Sequence, residues 1–251
     1  SISCPFFSAA WRCRQLIVAT IPAQNEARFL EEAVRVLLKE TIALDDDYRI
    51  VIAEDGSTDG SDRIAEGLAK SNPRIIHIHA DKKLGRGLAL KNAWKRVGGD
   101  VYVFVDCDLA TNMKYYPQLV GAIMDGYDLA TGSRYVNGAI VRRPPIRYFV
   151  SRMYNLMVRA AFGTGVCDHQ LGFKAFSGRL VRDLLDRCDS ADWFWDTEIV
   201  VRSVRKGYRW IEFPVEWEEK RGTRTPLKRL VKDIYVHGKG FLTLSIERGL
   251  T

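Results

Sequence analysis

Cysteine is sparse in this sequence: Cys4, Cys13, Cys107, Cys167 and Cys188 are five residues of 251, with no Cys-x-x-Cys spacing. An odd number without paired spacing argues against a disulfide framework and a zinc ribbon, and fits a reducing compartment. Histidine offers little more. His77 and His79 fall on one side of an expected strand, and two histidines without further ligands read as structural rather than as a zinc site. No apolar run approaches the ~20 residues needed to span a bilayer. The first eleven residues are apolar but short, and they do not begin with methionine, so a signal peptide is not expected. Internal repeats and low-complexity segments are also lacking.

What is abundant is apolar residue and positive charge. The chain is 47% hydrophobic and 27% charged, enough for a sizeable core and too ordered a composition for global disorder. Its length suits one large α/β domain or two small ones. The net charge of +7, with pI near 9.2, favours an anionic partner: nucleic acid, a phosphorylated small molecule or an acidic membrane face. The basic residues are scattered and no aromatic-basic platform accompanies them, which argues against nucleic acid.

The stretch Val101-Tyr102-Val103-Phe104-Val105-Asp106-Cys107-Asp108 organises the rest. Five β-prone apolar residues predict a strand buried on both faces, as in a parallel sheet. Carboxylates are costly to bury unpaired, so Asp106 and Asp108 should meet a cation at the sheet's edge. Hard oxygen ligands suit Mg²⁺ or Mn²⁺. On spacing alone a solvated turn or a helix cap fits equally well.

Strands are expected at residues 15–21, 48–53, 74–79, 101–105 and 128–132, with helices following each of the first four. Asn25 is expected to cap the first helix. Residues 81–87 read as a basic Gly loop before a helix over 88–97. This β/α alternation predicts a mostly parallel sheet with helices on both faces, in which ligands bind beyond the carboxyl ends of the strands. Asn25-Glu26, Glu54-Asp55 and Asp106/Asp108 all fall at such ends, which favours a binding site over a solvated turn. A dinucleotide-binding Rossmann loop is excluded, because Leu90 stands where the third glycine after Gly85 and Gly87 should be.

The second half differs. Arg142-Arg143-Pro144-Pro145 introduces an amphipathic helix whose apolar stripe is Ile146, Phe149, Val150, Met153, Leu156, Met157 and Ala160, with Arg147, Arg152 and Arg159 off it. A strand or turn over 173–176, helices over 179–187 and from 192 to 206, and one edge strand over 208–218 follow. A last basic helix runs from Leu227 to Val236. The two amphipathic helices can lie on a membrane or pack into the core, and packing is slightly favoured for their apolar faces.

The ordered strings Ile21-Pro22-Ala23-Gln24-Asn25-Glu26, Glu54-Asp55-Gly56-Ser57-Thr58-Asp59-Gly60, Gly85-Arg86-Gly87, Asp106-Cys107-Asp108-Leu109 and Gly132-Ser133-Arg134 resemble the GT-A glycosyltransferases of family 2. Asp168-His169-Gln170-Leu171-Gly172-Phe173-Lys174, Trp195-Asp196-Thr197-Glu198 and Phe213-Pro214-Val215 with Arg221 and Gly222 are similar to segments of the polyprenyl- and dolichyl-phosphate hexose synthases. The match runs over about residues 15–235 in the family's order. Departures are Glu54 where the family has Asp, and Gly222-Thr223-Arg224-Thr225 in place of Gly-x-Ser-Lys. The C-terminal transmembrane helices of many members are missing from these residues, as in a soluble-domain-only member or a piece of a longer chain.

The resemblance implies a GT-A fold and transfer of a hexose, with inversion, from GDP-mannose or UDP-glucose to a dolichyl or polyprenyl phosphate. It implies that Asp106 and Asp108 hold Mg²⁺ or Mn²⁺, Asp108 most directly, and that Pro22, Asn25, Glu26, Glu54, Asp55, Gly85, Cys107 and Arg134 complete the donor site. Asp55 would meet the base or ribose and Arg134 a phosphate. Asp168 would complete the metal shell or orient the donor sugar. Arg147, Ser151, Gln170, Arg221, Arg224 and Lys228 would hold the acceptor. Trp195 would touch sugar or lipid, and Asp196 or Glu198 would reach the site or else cap its helix. Residues 1–14 would form an N-terminal extension, 15–135 a nucleotide-sugar-binding half and 136–251 an acceptor-binding half of one continuous domain. The expected location is peripheral, at the cytoplasmic face of a membrane. A transferase acting on a saccharide hydroxyl and a non-catalytic sugar-nucleotide binding module are the alternatives. Trp217 leans toward glucose and Arg221-x-x-Arg224 toward mannose.

Overall fold

Apolar runs buried on both faces build the centre of the molecule. The computed structural model describes residues 14–221, 240, 241 and 244. Strands Leu16–Ala23 (β1), Asp47–Glu54 (β2), Ile75–Ile78 (β3) and Val101–Val105 (β4) pair in parallel, β1 lying between β2 and β4 and β2 carrying β3 at its outer edge. Every residue of β4 is buried, as expected of a strand covered on both faces. Ile17, Ala19 and Val103 point into one core layer with Leu30, Ala33, Val34 and Leu37 of helix α1 (Leu30–Ile42) and Leu119, Val120 and Ile123 of helix α4 (Tyr116–Met124). Val18, Val51, Tyr102 and Phe104 point the other way, onto Leu90, Ala93 and Trp94 of helix α3 (Arg86–Arg96). Helix α2 (Ser61–Ser71) adds Ala65 to the first layer.

The second half completes the same sheet. Strand β5 (Leu129–Ser133) does not pair with β4; strand β7 (Phe173–Ser177) runs antiparallel between them, and β8 (Trp210–Pro214) lies parallel at the far edge. The order is β3-β2-β1-β4-β7-β5-β8. Helices α6 (Gly178–Leu184) and α7 (Phe194–Arg205) cover the α3 face, where Trp94 packs against Tyr102, Phe104, Phe176 and Trp195 with ring centroids 5.3–6.3 Å away. Such buried aromatic pairs contribute ~0.5–1.5 kcal/mol each beyond area burial.

The segment read as one edge strand divides. After β8 the Val215 N–H bonds to the Ser133 carbonyl, and the chain turns into β9 (Glu216–Glu218), which pairs in parallel with β6 (Ile140–Arg142) as a small separate sheet. Two further expectations are corrected. Asn25 does not cap α1: its φ is +56°, and α1 begins at Leu30 with no side-chain cap. Residues 86 and 87 belong to the first turn of α3, not to a loop.

Helix α5 (Pro145–Phe162) brings the largest correction. It turns Asn155, Val158 and Phe162 inward, while Ile146, Phe149, Val150, Met153, Leu156 and Met157 are exposed, Ile146 at 78%. Core packing of this stripe is therefore overturned. The last basic helix, with Arg224 and Lys228, lies outside the described residues. Among the described residues no helix is long and apolar enough to cross a membrane.

Candidate active site

The turn after β4 sets the site. The Asp106 N–H donates to the Gly172 carbonyl (2.9 Å), and the Leu109 N–H returns to the Asp106 carbonyl (3.0 Å). Asp108 accepts the Ala110 N–H at Oδ1 (3.2 Å) and Arg221 Nε at Oδ2 (2.5 Å). Arg221 also meets Glu26 Oε1 at 2.7 Å, so it bridges two carboxylates from different strand ends. These two contacts offset the Arg221 charge while engaging only Nε and Nη1 of a guanidinium that carries five N–H donors. Burial pushes the Glu26 acid up, partly offset by Arg221. Cys107 turns into the core, so only its main chain is available to a donor.

Gly172 is required by the position of Asp106. A Cβ there would lie 2.2 Å from Asp106 Oδ1 and 2.3 Å from Oδ2. Gly172→Ala must therefore displace the carboxylate. Since an ångström-scale misplacement can cost about 10²-fold in rate, we expect a kcat loss of that order with little change in the thermal midpoint; unchanged kcat would show that the position of Asp106 does not matter.

Arg86 was not among the sequence candidates. It opens α3, is only 8% exposed, and lies 3.1 Å from Asp106 Oδ1 and 3.5 Å from Asp196 Oδ2. Trp193 and Phe104 face its guanidinium at 4.5 and 5.0 Å. The ion-pair angles do not make hydrogen bonds, so among the described residues all three Arg86 nitrogens and both Asp196 oxygens are buried without a hydrogen-bond partner. Burial raises Asp196 to about 6, against Arg86 and Lys174. It lowers Lys174 to about 8, despite Asp196 and Asp168. Buried polar groups left unmatched are uncommon, and here they converge beside Asp106. The signal in the sequence was Gly85-Arg86-Gly87. Gly85 has φ of +103° and sits against the Ala191 carbonyl, which fixes where α3 starts.

The loops expected at the donor are tied to one another. The Asn25 carboxamide accepts the Thr58 N–H (2.8 Å), and the Glu26 N–H donates to Ser61 Oγ (2.8 Å). Pro22 lies within β1 beside Ala53. Glu54 accepts the Ser57 N–H and contacts His79 Nδ1, both at 2.5 Å. Asp55 accepts the Leu84 N–H (2.6 Å) and the Gly85 N–H (2.9 Å), so both of its oxygens already hold a loop.

Arg134 and Asp168 form a buried bidentate pair, Nε–Oδ2 at 2.7 Å and Nη2–Oδ1 at 2.9 Å, with the Arg134 N–H adding a third bond. Burial alone would raise the Asp168 acid; the Arg134 charge and hydrogen bonds hold it below the usual range. Each residue is thus the other's partner, where the sequence had assigned them separately to phosphate and metal or sugar. The Gln170 N–H reaches Asp168 Oδ1 at 3.3 Å. Trp217 links this pair to a second cluster, with Arg134 and Arg143 at 5.4 and 5.2 Å from its ring. There Arg147 bonds Glu219 (2.9 Å), Arg143 approaches the same carboxylate (3.8 Å), and Ser151 bonds both Tyr135 and Arg143. Arg143 is a further residue the sequence reading missed, although Arg142-Arg143-Pro144-Pro145 marks it.

A cleft of about 730 Å³ touches this site at Cys107 and Asp108 and runs between α1 and the β6–β9 sheet, past Arg28, Arg142, Trp217 and Lys220.

The Glycosyl transferase family 2 model matches residues 19–187. The chain belongs to glycosyltransferase family 2. It is 42% identical over 229 residues to glycosyltransferase AglD of Haloferax volcanii, covering 90% of this chain and 36% of that protein. It is 29% identical to the polyprenol monophosphomannose synthase of Mycolicibacterium smegmatis (84% of this chain, 81% of that one) and 26% to the dolichyl-phosphate beta-glucosyltransferase ALG5C of Trichomonas vaginalis (84% and 66%). The chain thus spans about a third of the Haloferax protein. The crystal structure of glucosyl-3-phosphoglycerate synthase from Mycobacterium tuberculosis with UDP superposes with a TM-score of 0.67 at 19% identity, covering 91% of this chain and 79% of that one. The shared architecture is the GT-A fold.

Proposed function

We propose that this chain transfers a hexose, with inversion, from a nucleotide-sugar to a dolichyl or polyprenyl phosphate, assisted by Mg²⁺ or Mn²⁺. The observation that carries the reading is the Asp106/Asp108 pair beside Arg86, at the carboxyl end of the central strand of a family 2 protein. The names of the mannose and glucose synthase relatives support the acceptor class.

Asp106 and Asp108 fit a hard divalent ion. Both are oxygen donors, and burial, then the charge of Asp108, pushes the Asp106 acid up against the pull of Arg86, so added positive charge is favourable there. When bound, such an ion supplies positive charge to the departing nucleoside diphosphate. Arg86, with its unmatched nitrogens, would orient the donor beside the pair. A phosphate monoester acceptor is largely dianionic at neutral pH, its second pKa being ~6, so it needs cations more than a base. Arg143 and Arg147 share one carboxylate and retain surplus charge for it. Transfer to a saccharide hydroxyl is the second reading, favoured by Asp196, which at about 6 suits a general base.

The exposed stripe of α5, flanked by the exposed Arg152 and Arg159, suits a lipid surface and would place the acceptor phosphate near the site. Phe149→Asp with Met153→Asp is expected to weaken binding to anionic vesicles by at least about tenfold, since inserted apolar side chains contribute ~1.5–3 kcal/mol each. Activity on a short, water-soluble acceptor should persist. Vesicle co-sedimentation equal to wild type would remove the membrane role.

The overall test is a donor screen of UDP-glucose, GDP-mannose and UDP-GlcNAc with a short polyprenyl phosphate or a saccharide, with and without Mn²⁺. Product on the lipid phosphate is expected. Absence of product with every donor overturns the reading, and product on the saccharide alone replaces it with the second.

A further inference from the structure

We propose that Glu54, His77 and His79 form a zinc-type metal site at the edge of the main sheet, separate from the Asp106 and Asp108 pair. The sequence offered two histidines and no third ligand. The sheet supplies one. His77 in β3 and His79 just past its end lie two residues apart and so share one face; continuing the register that sets Ile52 beside His77 and Ala53 beside Ile78 brings Glu54, the last residue of β2, next to His79. One donor atom from each of the three lies within 4.8 Å of the others. Tetrahedral Zn²⁺ with ligands at 2.0–2.1 Å needs its donors roughly 3.4 Å apart, so small side-chain rotations close the site.

Three details point to a cation. Among the described residues, His77 Nε2 is buried without a hydrogen-bond partner. Glu54 Oε2 already meets His79 Nδ1 at 2.5 Å, while its Oε1 is anchored by the Ser57 N–H. His79 Nε2 lies 3.5 Å from Asp81 Oδ1. With Nδ1 as the ligand atom, Nε2–H faces Asp81, the carboxylate–histidine–metal arrangement that fixes ring orientation in metal sites. Glu54 is buried and His79 is 47% exposed, so a fourth position opens to water. Imidazole nitrogen with one carboxylate selects zinc-like ions, whereas an all-oxygen pair suits Mg²⁺ or Mn²⁺. The occupied site would brace the turn after β2 against the end of β3, next to Asp55, which holds the Leu84 and Gly85 N–H groups.

The test uses the 251-residue chain stripped with a chelator and titrated with Co²⁺, with Zn²⁺ as competitor. One equivalent of Zn²⁺-displaceable, four-coordinate Co²⁺ absorption is expected in the wild type and in D106N/D108N. His77→Gln and His79→Gln should lose it or weaken it at least about tenfold, the lower end of what even an outer partner is worth, with metal-free thermal melts equal to wild type. A second readout needs no variant: Zn²⁺ should shift the imidazole resonances of two of the four histidines. No displaceable absorption, absorption that survives in both histidine variants, absorption lost in D106N/D108N, or unshifted imidazole resonances would each overturn the proposal.

Discussion

Asp108→Asn is expected to lower kcat by about 10³-fold or more while the fold survives. The side chain sits at the rim of the central strand, 8% exposed, with Oδ1 on the Ala110 N–H and Oδ2 on Arg221. Asparagine keeps the volume and the Oδ1 bond but removes the charge. That takes away half of the hard-oxygen pair and leaves Arg221 with Glu26 alone. Removing one preorganised charge-stabilising group typically costs ~2.7–4 kcal/mol in the transition state, and the metal such a pair would hold is worth several kcal/mol more. Steady-state kinetics over a Mn²⁺ titration would read the effect. A kcat within about tenfold of wild type, a barrier change of only ~1.4 kcal/mol, would mean that Asp108 is not at the chemistry.

Asp168→Ala should act on stability as strongly as Asp108→Asn acts on rate. It leaves the Arg134 guanidinium, 7% exposed, buried without its bidentate partner. Breaking a buried ion pair from one side costs ~3–5 kcal/mol, whereas replacing both charges with apolar residues of similar volume is often neutral. Urea unfolding should therefore place Asp168→Ala far below wild type and Arg134→Met/Asp168→Leu well above Asp168→Ala. Equal stability of the single and double variants would sink this account. The pH sign follows from the depressed Asp168 acid. A carboxyl lowered in the folded state contributes fully above its unfolded value of ~3.9 and loses that contribution as pH falls through the folded value. The difference between wild type and Asp168→Ala should thus be flat at neutral pH and shrink only in acid.

The first half was legible because parallel strands buried on both faces read as plain apolar runs. β1, β2 and β4 lie within two residues of expectation. Strand order was not legible. Nothing local in Phe173–Ser177 says that it will insert antiparallel between β4 and β5. The split at Val215 escaped for a related reason: alternation continues through it, and only the Ser133 carbonyl decides where the strand leaves the sheet. Arg86 was hidden by its charge. An arginine is ordinarily a surface residue, and its burial depends on Asp106, Asp196 and Trp193, all distant in sequence. The α5 stripe was visible as a stripe, but amphipathicity does not say which side of it is solvent or lipid. Arg221 looked like a free cation because Glu26 and Asp108 meet only in the fold.

The placement of β7 also governs how the chain can be made. As synthesis passes residue 135, β4 has one neighbour and β5 has none, so two apolar strands wait with open hydrogen-bonding edges. The two facing edges close only when Phe173–Ser177 emerges and threads between them, and the outer edge of β5 only when β8 follows. Until then the sheet is a template for pairing with other chains, and the long wait makes closure a non-local, slow event. A fragment ending at residue 135 should accordingly aggregate rather than fold, even though it carries the β/α alternation intact. The antiparallel strand is the keystone of assembly, set late in the chain at the point where the Asp106 main chain hydrogen-bonds to Gly172.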